Sequence, residues 1–134
     1  MEVSAFVDTS AFIALVDRTD DRHTKAGSVY GDCLHRGDLL LTTDYIVAEA
    51  LSVAQKRLGI TAVRAIVNGY LPTMTMIWVT PDDHALGTEA LLAAGRRSLS
   101  LVDCISFVVM RRLNLANAFA FDKHFVEQGF ELLA

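Results

Sequence analysis

Cysteine and proline are scarce in this chain of 134 residues, with two of each, Cys33 and Cys104, Pro72 and Pro81. The cysteines stand far apart, without the paired spacing or neighbouring histidines of a zinc site, and a domain of this length needs no disulfide staple. Both are expected to be reduced, packed thiols. Positive charge is also short: 12 Lys and Arg against 16 Asp and Glu leave a formal net charge of −4. Strong nonspecific adhesion to nucleic acid is thereby excluded, because it comes from many cationic contacts to phosphate, and any nucleic-acid function must rest on a local site. No apolar run approaches the roughly 20 residues of a membrane span, and MEVSAFVDTS lacks the basic start and long apolar stretch of a secretory signal. A cytoplasmic protein without membrane contact is expected. Repeats, low-complexity tracts and Pro/Gly/Ser-rich linkers are absent too, so one domain over residues 1–134 is the simplest reading.

What is present is apolar sequence, 52% of the chain, cut into short alternating segments. Val3 to Val7 is nearly unbroken and β-prone, as in a strand covered on both faces of a parallel sheet, and Asp8 ends it. Thr9 to Val16 reads as a short helix. Ala26, Tyr30, Cys33 and Leu34 recur at helical spacing until Gly37 stops them. Leu39 to Leu41 form a strand, Asp44 to Leu58 and Thr61 to Tyr70 two helices, and Met74 to Val79 a strand. Thr80, Pro81 and Asp83 carry the signature of a helix start, and Gly95 that of its end. A helix from about Leu101 to Leu113, a strand Asn117 to Phe121, a short helix and a strand Phe130 to Leu133 complete the pattern. Such βα alternation predicts an α/β fold, a central, mostly parallel sheet of about five strands with helices on both faces, and a ligand site beyond the C-terminal strand ends.

Acids collect at that edge. Asp8 follows the first strand, Asp122 follows the Asn117 to Phe121 strand, and Asp103 opens a helix; Glu49 lies at the apolar boundary of its helix, where a carboxylate wants a partner. Taken singly, each of the three aspartates reads better as a helix cap than as a catalytic acid, and Ser100-Leu-Val-Asp103 matches a capping box with Asp in place of Glu. Asp44, Asp82 and Asp83 read as caps. His23, His35 and His84 are expected on exposed helix faces without partners, and Arg111 and Arg112 at a helix end need only the helix dipole.

Four blocks in order carry more than the single acids: Val7-Asp8-Thr9-Ser10, Thr42 through Glu49 (TTDYIVAE), Leu99 through Phe107 (LSLVDCISF) and Ala120-Phe-Asp-Lys-His-Phe125. In these the chain resembles PIN-domain nucleases, and among them the VapC-type toxins, over essentially its full length. The resemblance implies a PIN-like three-layer α/β/α fold and a Mg²⁺-dependent endoribonuclease, with Mn²⁺ able to substitute. It maps the family's acidic ligands onto Asp8, Glu49, Asp103 and Asp122, and the usual hydroxyl two positions after the first acid onto Ser10. It also implies an RNA substrate, a small cognate antitoxin and a homodimer. One departure is that many members place a threonine just before the last acid, where this chain has Ala120 and Phe121, so Asp122 is expected to be held less firmly than Asp8 or Asp103. Carboxylate oxygens suit a hard cation, and no His/Cys cluster favours zinc. Thr9, Ser10 and Ser106 are candidates to support the phosphate, and Arg96, Arg97, Lys123 and His124 to offer RNA positive contacts.

The rivals are a PIN-like scaffold that binds a partner without catalysis and a phosphatase with an Asp after strand one. The haloacid-dehalogenase type of phosphatase has a second Asp where this chain has Ser10. An early acidic pair for a receiver domain and a Gly-rich phosphate loop are both lacking.

Overall fold

Residues 3–133 are described by the computed structural model. Strand β1 (Ser4–Val7) is the middle of a five-stranded sheet with β2 (Leu39–Thr43), β3 (Thr75–Ile77), β4 (Asn117–Phe119) and β5 (Glu131–Leu132) in the order β3-β2-β1-β4-β5. Every pairing is parallel, with Phe6 opposite Leu41 on one side and Ala118 on the other. Ala5, Phe6 and Val7 are all fully buried. Consecutive strand residues point to opposite faces, so both faces are covered, which is the three-layer arrangement the unbroken apolar run predicted.

The helices are α1 (Thr9–Val16), α2 (His23–Arg36), α3 (Asp44–Leu58), α4 (Ile60–Ala65), α5 (Pro81–Ala94), α6 (Leu101–Arg112) and α7 (His124–Glu127). Their ends follow local chemistry. Thr43 caps α3 by accepting the Ile46 N–H at 3.1 Å, while Thr80–Asp83 and Ser100–Asp103 make reciprocal capping boxes on α5 and α6. Gly37 closes α2 in the left-handed conformation that its φ of 75° requires.

Some expected boundaries shift for identifiable reasons. The helix read as Thr61 to Tyr70 keeps α-geometry only through Ala65, then widens into a π-turn (Ile66–Tyr70) and a 3₁₀ turn (Leu71–Thr73). Pro72 cannot donate to the carbonyl four residues back and its ring crowds it. Strand β3 stops at Ile77, and the Val79 N–H goes to Asp44 Oδ1 at 2.8 Å, so Asp44 ties two strand ends together while Thr43 provides the cap. Arg112 makes two hydrogen bonds to buried Asp83, at 2.9 and 2.8 Å, where only a dipole interaction was expected, and Arg111 bonds Gln128 and covers the Phe130 ring. His23 donates to the Ala14 carbonyl and His84 shares a 2.8 Å hydrogen bond with the Tyr45 hydroxyl, so these two histidines do have partners. Cys33 and Cys104 are buried free thiols.

The order of the strands fixes where chemistry can occur. From β1 the chain proceeds outward through β2 and β3, then returns to β4 and β5 on the other side, so the direction of winding reverses between β1 and β4. A crevice opens at such a switch point beyond the C-terminal strand ends. Asp8 and Asp122 lie just past those two strands.

Candidate active site

Asp8, Glu49, Asp103 and Asp122 line one cavity of about 350 Å³, together with Thr9, Ser10 and Ser100. They arrive from separate parts of the fold: the loop after β1, the middle of α3, the first turn of α6 and the loop after β4. Each is held by its own bond. Asp8 is buried, caps α1, and accepts from the Ser10 amide at 3.2 Å and the Ser10 hydroxyl at 2.8 Å. That same hydroxyl oxygen accepts the Phe121 N–H at 2.9 Å, which links Asp8 to the segment carrying Asp122 and ends the β4 ladder two residues earlier than the sequence pattern predicted. Glu49 accepts the Thr9 hydroxyl at 2.6 Å. Asp103 closes its capping box with the Ser100 amide at 3.1 Å, and Asp122 accepts the His124 amide at 2.9 Å. The support expected to be missing at Asp122 is thus supplied from behind, by the backbone two residues on.

Caps usually favour the ionised carboxylate, and here burial overcomes them. Loss of water pushes Asp8 up to about 7 from an ordinary 3.8, against the Ser10 hydrogen bonds, with Asp103 adding repulsion. Asp103 is also raised, first by burial and then by Asp122, against its bonds to Ser100. A buried aspartate raised this far is not what a helix cap needs, since serine or asparagine caps as well without the charge. At both acids, burial and the neighbouring carboxylate outweigh the favourable hydrogen bonds.

The donor set fits a hard divalent cation by its chemistry: carboxylate and hydroxyl oxygens, with no thiol or imidazole on the wall. Among the described residues no three His, Cys, Asp or Glu side chains already stand gathered around a point where an ion would sit. In this conformation Asp103 accepts from the Ser100 amide and Glu49 from the Thr9 hydroxyl.

The remaining sequence candidates are elsewhere. Ser106 is fully buried and donates its hydroxyl to the Val102 carbonyl at 2.8 Å, away from any phosphate position. His124 is buried, with Nδ1 on Glu127 at 2.7 Å and Nε2 on the Ser98 carbonyl at 3.1 Å. Its pKa is raised, chiefly by Glu127. Arg96 faces Glu127 at 3.6 Å, and Arg97 and Lys123 are exposed; none of these lines the cavity. The cations that do line it are Arg22, just before α2, and Arg57, near the end of α3, with Asp20 beside them. Sequence reasoning passed over all three, because nothing in the sequence brings the α1–α2 loop or the last turn of α3 near Asp8.

The geometry and the sequence point to one class: residues 5–131 match the description of the PIN domain, and the chain belongs to the PIN domain family. Among named relatives it is 32% identical over 126 residues to the 23S rRNA-specific endonuclease VapC20 of Mycobacterium tuberculosis, covering 93% of this chain and 94% of that protein. The crystal structure of that VapC20, described as a sarcin-ricin loop cleaving toxin, superposes with a TM-score of 0.84 at 30% identity, covering 96% of each chain. VapBC2 from Rickettsia felis, bound to a DNA fragment from its promoter, shares the fold at a TM-score of 0.67 and 11% identity, covering 97% of this chain and 96% of that one.

Proposed function

We propose that this protein is a metal-dependent endoribonuclease of the VapC kind, cutting ribosomal RNA, with Mg²⁺ as its ion and Mn²⁺ as a substitute. The observation that carries this is the convergence of Asp8, Glu49, Asp103 and Asp122 on one cavity at the β1/β4 switch point. A bound ion there supplies an activated water and charge stabilisation for phosphodiester hydrolysis. Asp8 and Asp103 would hold it, and Glu49 and Asp122 would complete the set. Ser10 keeps Asp8 oriented through its bonds to Asp8 and Phe121, and Thr9 does the same for Glu49. Ionisation of Asp8, resisted by burial, becomes favourable when a cation shares the cavity.

The likeness to VapC20 supports 23S rRNA as the substrate class. The VapBC neighbour supports a toxin countered by a small antitoxin, and the reading extends to a cytoplasmic homodimer. Among the described residues no helix is long and apolar enough to cross a membrane. Incubating the purified protein with intact ribosomes and Mg²⁺, then mapping RNA ends, tests the proposal. Discrete new ends that vanish with Asp8→Asn are expected; intact rRNA and intact total RNA would reject it. The scaffold reading draws on the fact that every acid already has a structural bond, and it predicts no stabilisation by Mg²⁺.

A further inference from the structure

The acidic cavity must accept a polyanion, yet the exposed cations expected near it, Arg96, Arg97 and Lys123, do not line it. Its wall has Arg22 and Arg57 instead. Arg22 is held on two sides. Its Nε donates to Asp20 Oδ1 at 3.1 Å and Nη2 to Asp20 Oδ2 at 3.4 Å, and its guanidinium lies over the Phe121 ring, 5.1 Å from the centroid. Phe121 directly precedes Asp122, so this stack ties Arg22 to the segment that carries one of the cavity's acids. A guanidinium has five N–H donors in a planar fork; Asp20 occupies one edge and Phe121 one face, which leaves the Nη1 edge free. Arg57 stands on the other element, one helix, α3, with Glu49, and makes no hydrogen bond or ion pair among the described residues. Its positive charge is felt by Asp20 and by Asp17, whose carboxyls it helps hold low. Arg22 and Arg57 also line a second hollow of about 380 Å³, which shares these two side chains and Asp20 with the first.

We propose that Arg22 and Arg57 are the phosphate-gripping residues of the cleft, each taking a backbone phosphate next to the one to be cut, with Asp20 and Phe121 holding Arg22 in the binding orientation. The inference rests on the RNA-cleaving reading above, and it deepens that reading by assigning the residues that bind the strand. The arrangement resolves the charge problem of the site. The acids attract the ion, and two arginines on the rim hold the neighbouring phosphates away from the carboxylates. Rigid presentation matters because an arginine already fixed in place loses less freedom on binding than a swinging side chain.

The test is RNA affinity in a non-cleaving Asp103→Asn background, using a short single-stranded RNA oligonucleotide with Mg²⁺ and fluorescence anisotropy across a salt series. Each phosphate contact adds about 0.7 to the slope of log affinity against log salt for a single strand. Arg22→Gln and Arg57→Gln should each lower the slope by about that amount, and the double variant by about twice as much. Lys56→Gln, at the exposed neighbour that does not line the cleft, should leave it unchanged. Arg22→Lys should keep the slope while weakening binding several-fold, because an ammonium cannot hold the Asp20 fork and a phosphate together. In the otherwise native enzyme, Arg57→Gln should raise KM with kcat within about twofold. Unchanged slopes in both glutamine variants, or an equal fall with Lys56→Gln, would overturn the proposal. Failure of the native protein to cut RNA would instead strike the nuclease reading, since the binding series is read without cleavage.

Discussion

Replacing Asp8 with asparagine should stabilise the metal-free protein while removing its activity, and the pH dependence of that gain can be worked out in advance. Asp8 is buried and its pKa is raised from 3.8 to about 7, mainly by loss of water. The direction follows from linkage. The folded protein holds this proton more tightly than the unfolded chain, so the Asp8 contribution to stability is fully present below pH 3.8 and is lost as pH rises through 7. At about 1.4 kcal/mol for each pH unit between the two values, the loss amounts to about 4 kcal/mol at most, to order of magnitude. Asparagine keeps the shape and the cap acceptor for the Ser10 amide but carries no charge. Chemical denaturation of both proteins between pH 4 and 8.5, in EDTA, should give nearly equal stabilities at the acid end. The variant should lead by about 2–4 kcal/mol at the alkaline end, an interval set by the same linkage. Asp103, raised in the same direction, contributes to both curves, and its repulsion of Asp8 is part of the gap between them. A variant equally destabilised at every pH would refute the reasoning, since it would mean that Asp8 serves as an ordinary cap.

Ser10→Ala removes the hydroxyl that donates to Asp8 and accepts from Phe121; it should cost about 1–3 kcal/mol in denaturant melts and lower kcat more than KM, as Asp8 loses its orientation. Arg112→Gln leaves the carboxylate of Asp83, 2% exposed, without its cation. The loss should be about 2–4 kcal/mol at pH 7 and should shrink on acidification, because Asp83 is held below the ordinary carboxylate range in the native protein and its stabilisation fades as pH falls through that range. Gly87→Ala would set a Cβ 2.4 Å from Ile105 Cγ1 and 3.1 Å from Ile105 Cα. Helix α6 must then move away from α5, at a cost of about 1–3 kcal/mol by calorimetry and with reduced RNA cleavage, since α6 carries Asp103 two positions before Ile105.

The fold was legible wherever one physical signal dominated. Unbroken apolar strands, capping boxes at Thr80 and Ser100, and a left-handed Gly37 each state their structure locally, and the parallel sheet follows from their alternation. Boundaries went astray where a side chain from a distant segment claimed a backbone amide. Ser10 takes the Phe121 N–H and Asp44 the Val79 N–H, and both strands end early for that reason. At the site, the acids could be found because Asp8, Asp103 and Asp122 sit next to strand ends or a helix start that mark the functional edge, and Glu49 by its family context. The cations could not, because proximity to a strand end in sequence says nothing about which way an arginine reaches. Arg96 and His124, near the edge in sequence, are engaged with Glu127, whereas Arg57 reaches the cavity from the far end of a long helix. Ser106 shows the same limit from the other side: its helix face turns inward, and a buried hydroxyl bonds its own backbone.

The most direct measurement is isothermal titration of Mn²⁺ or Mg²⁺ into the protein, native and Asp103→Asn, paired with RNA-end mapping on the same samples. The account predicts saturable binding with proton release near pH 7 and discrete cleavage in the native protein, and loss of both in the variant. Native-like ion binding or native-like cleavage by Asp103→Asn would contradict it.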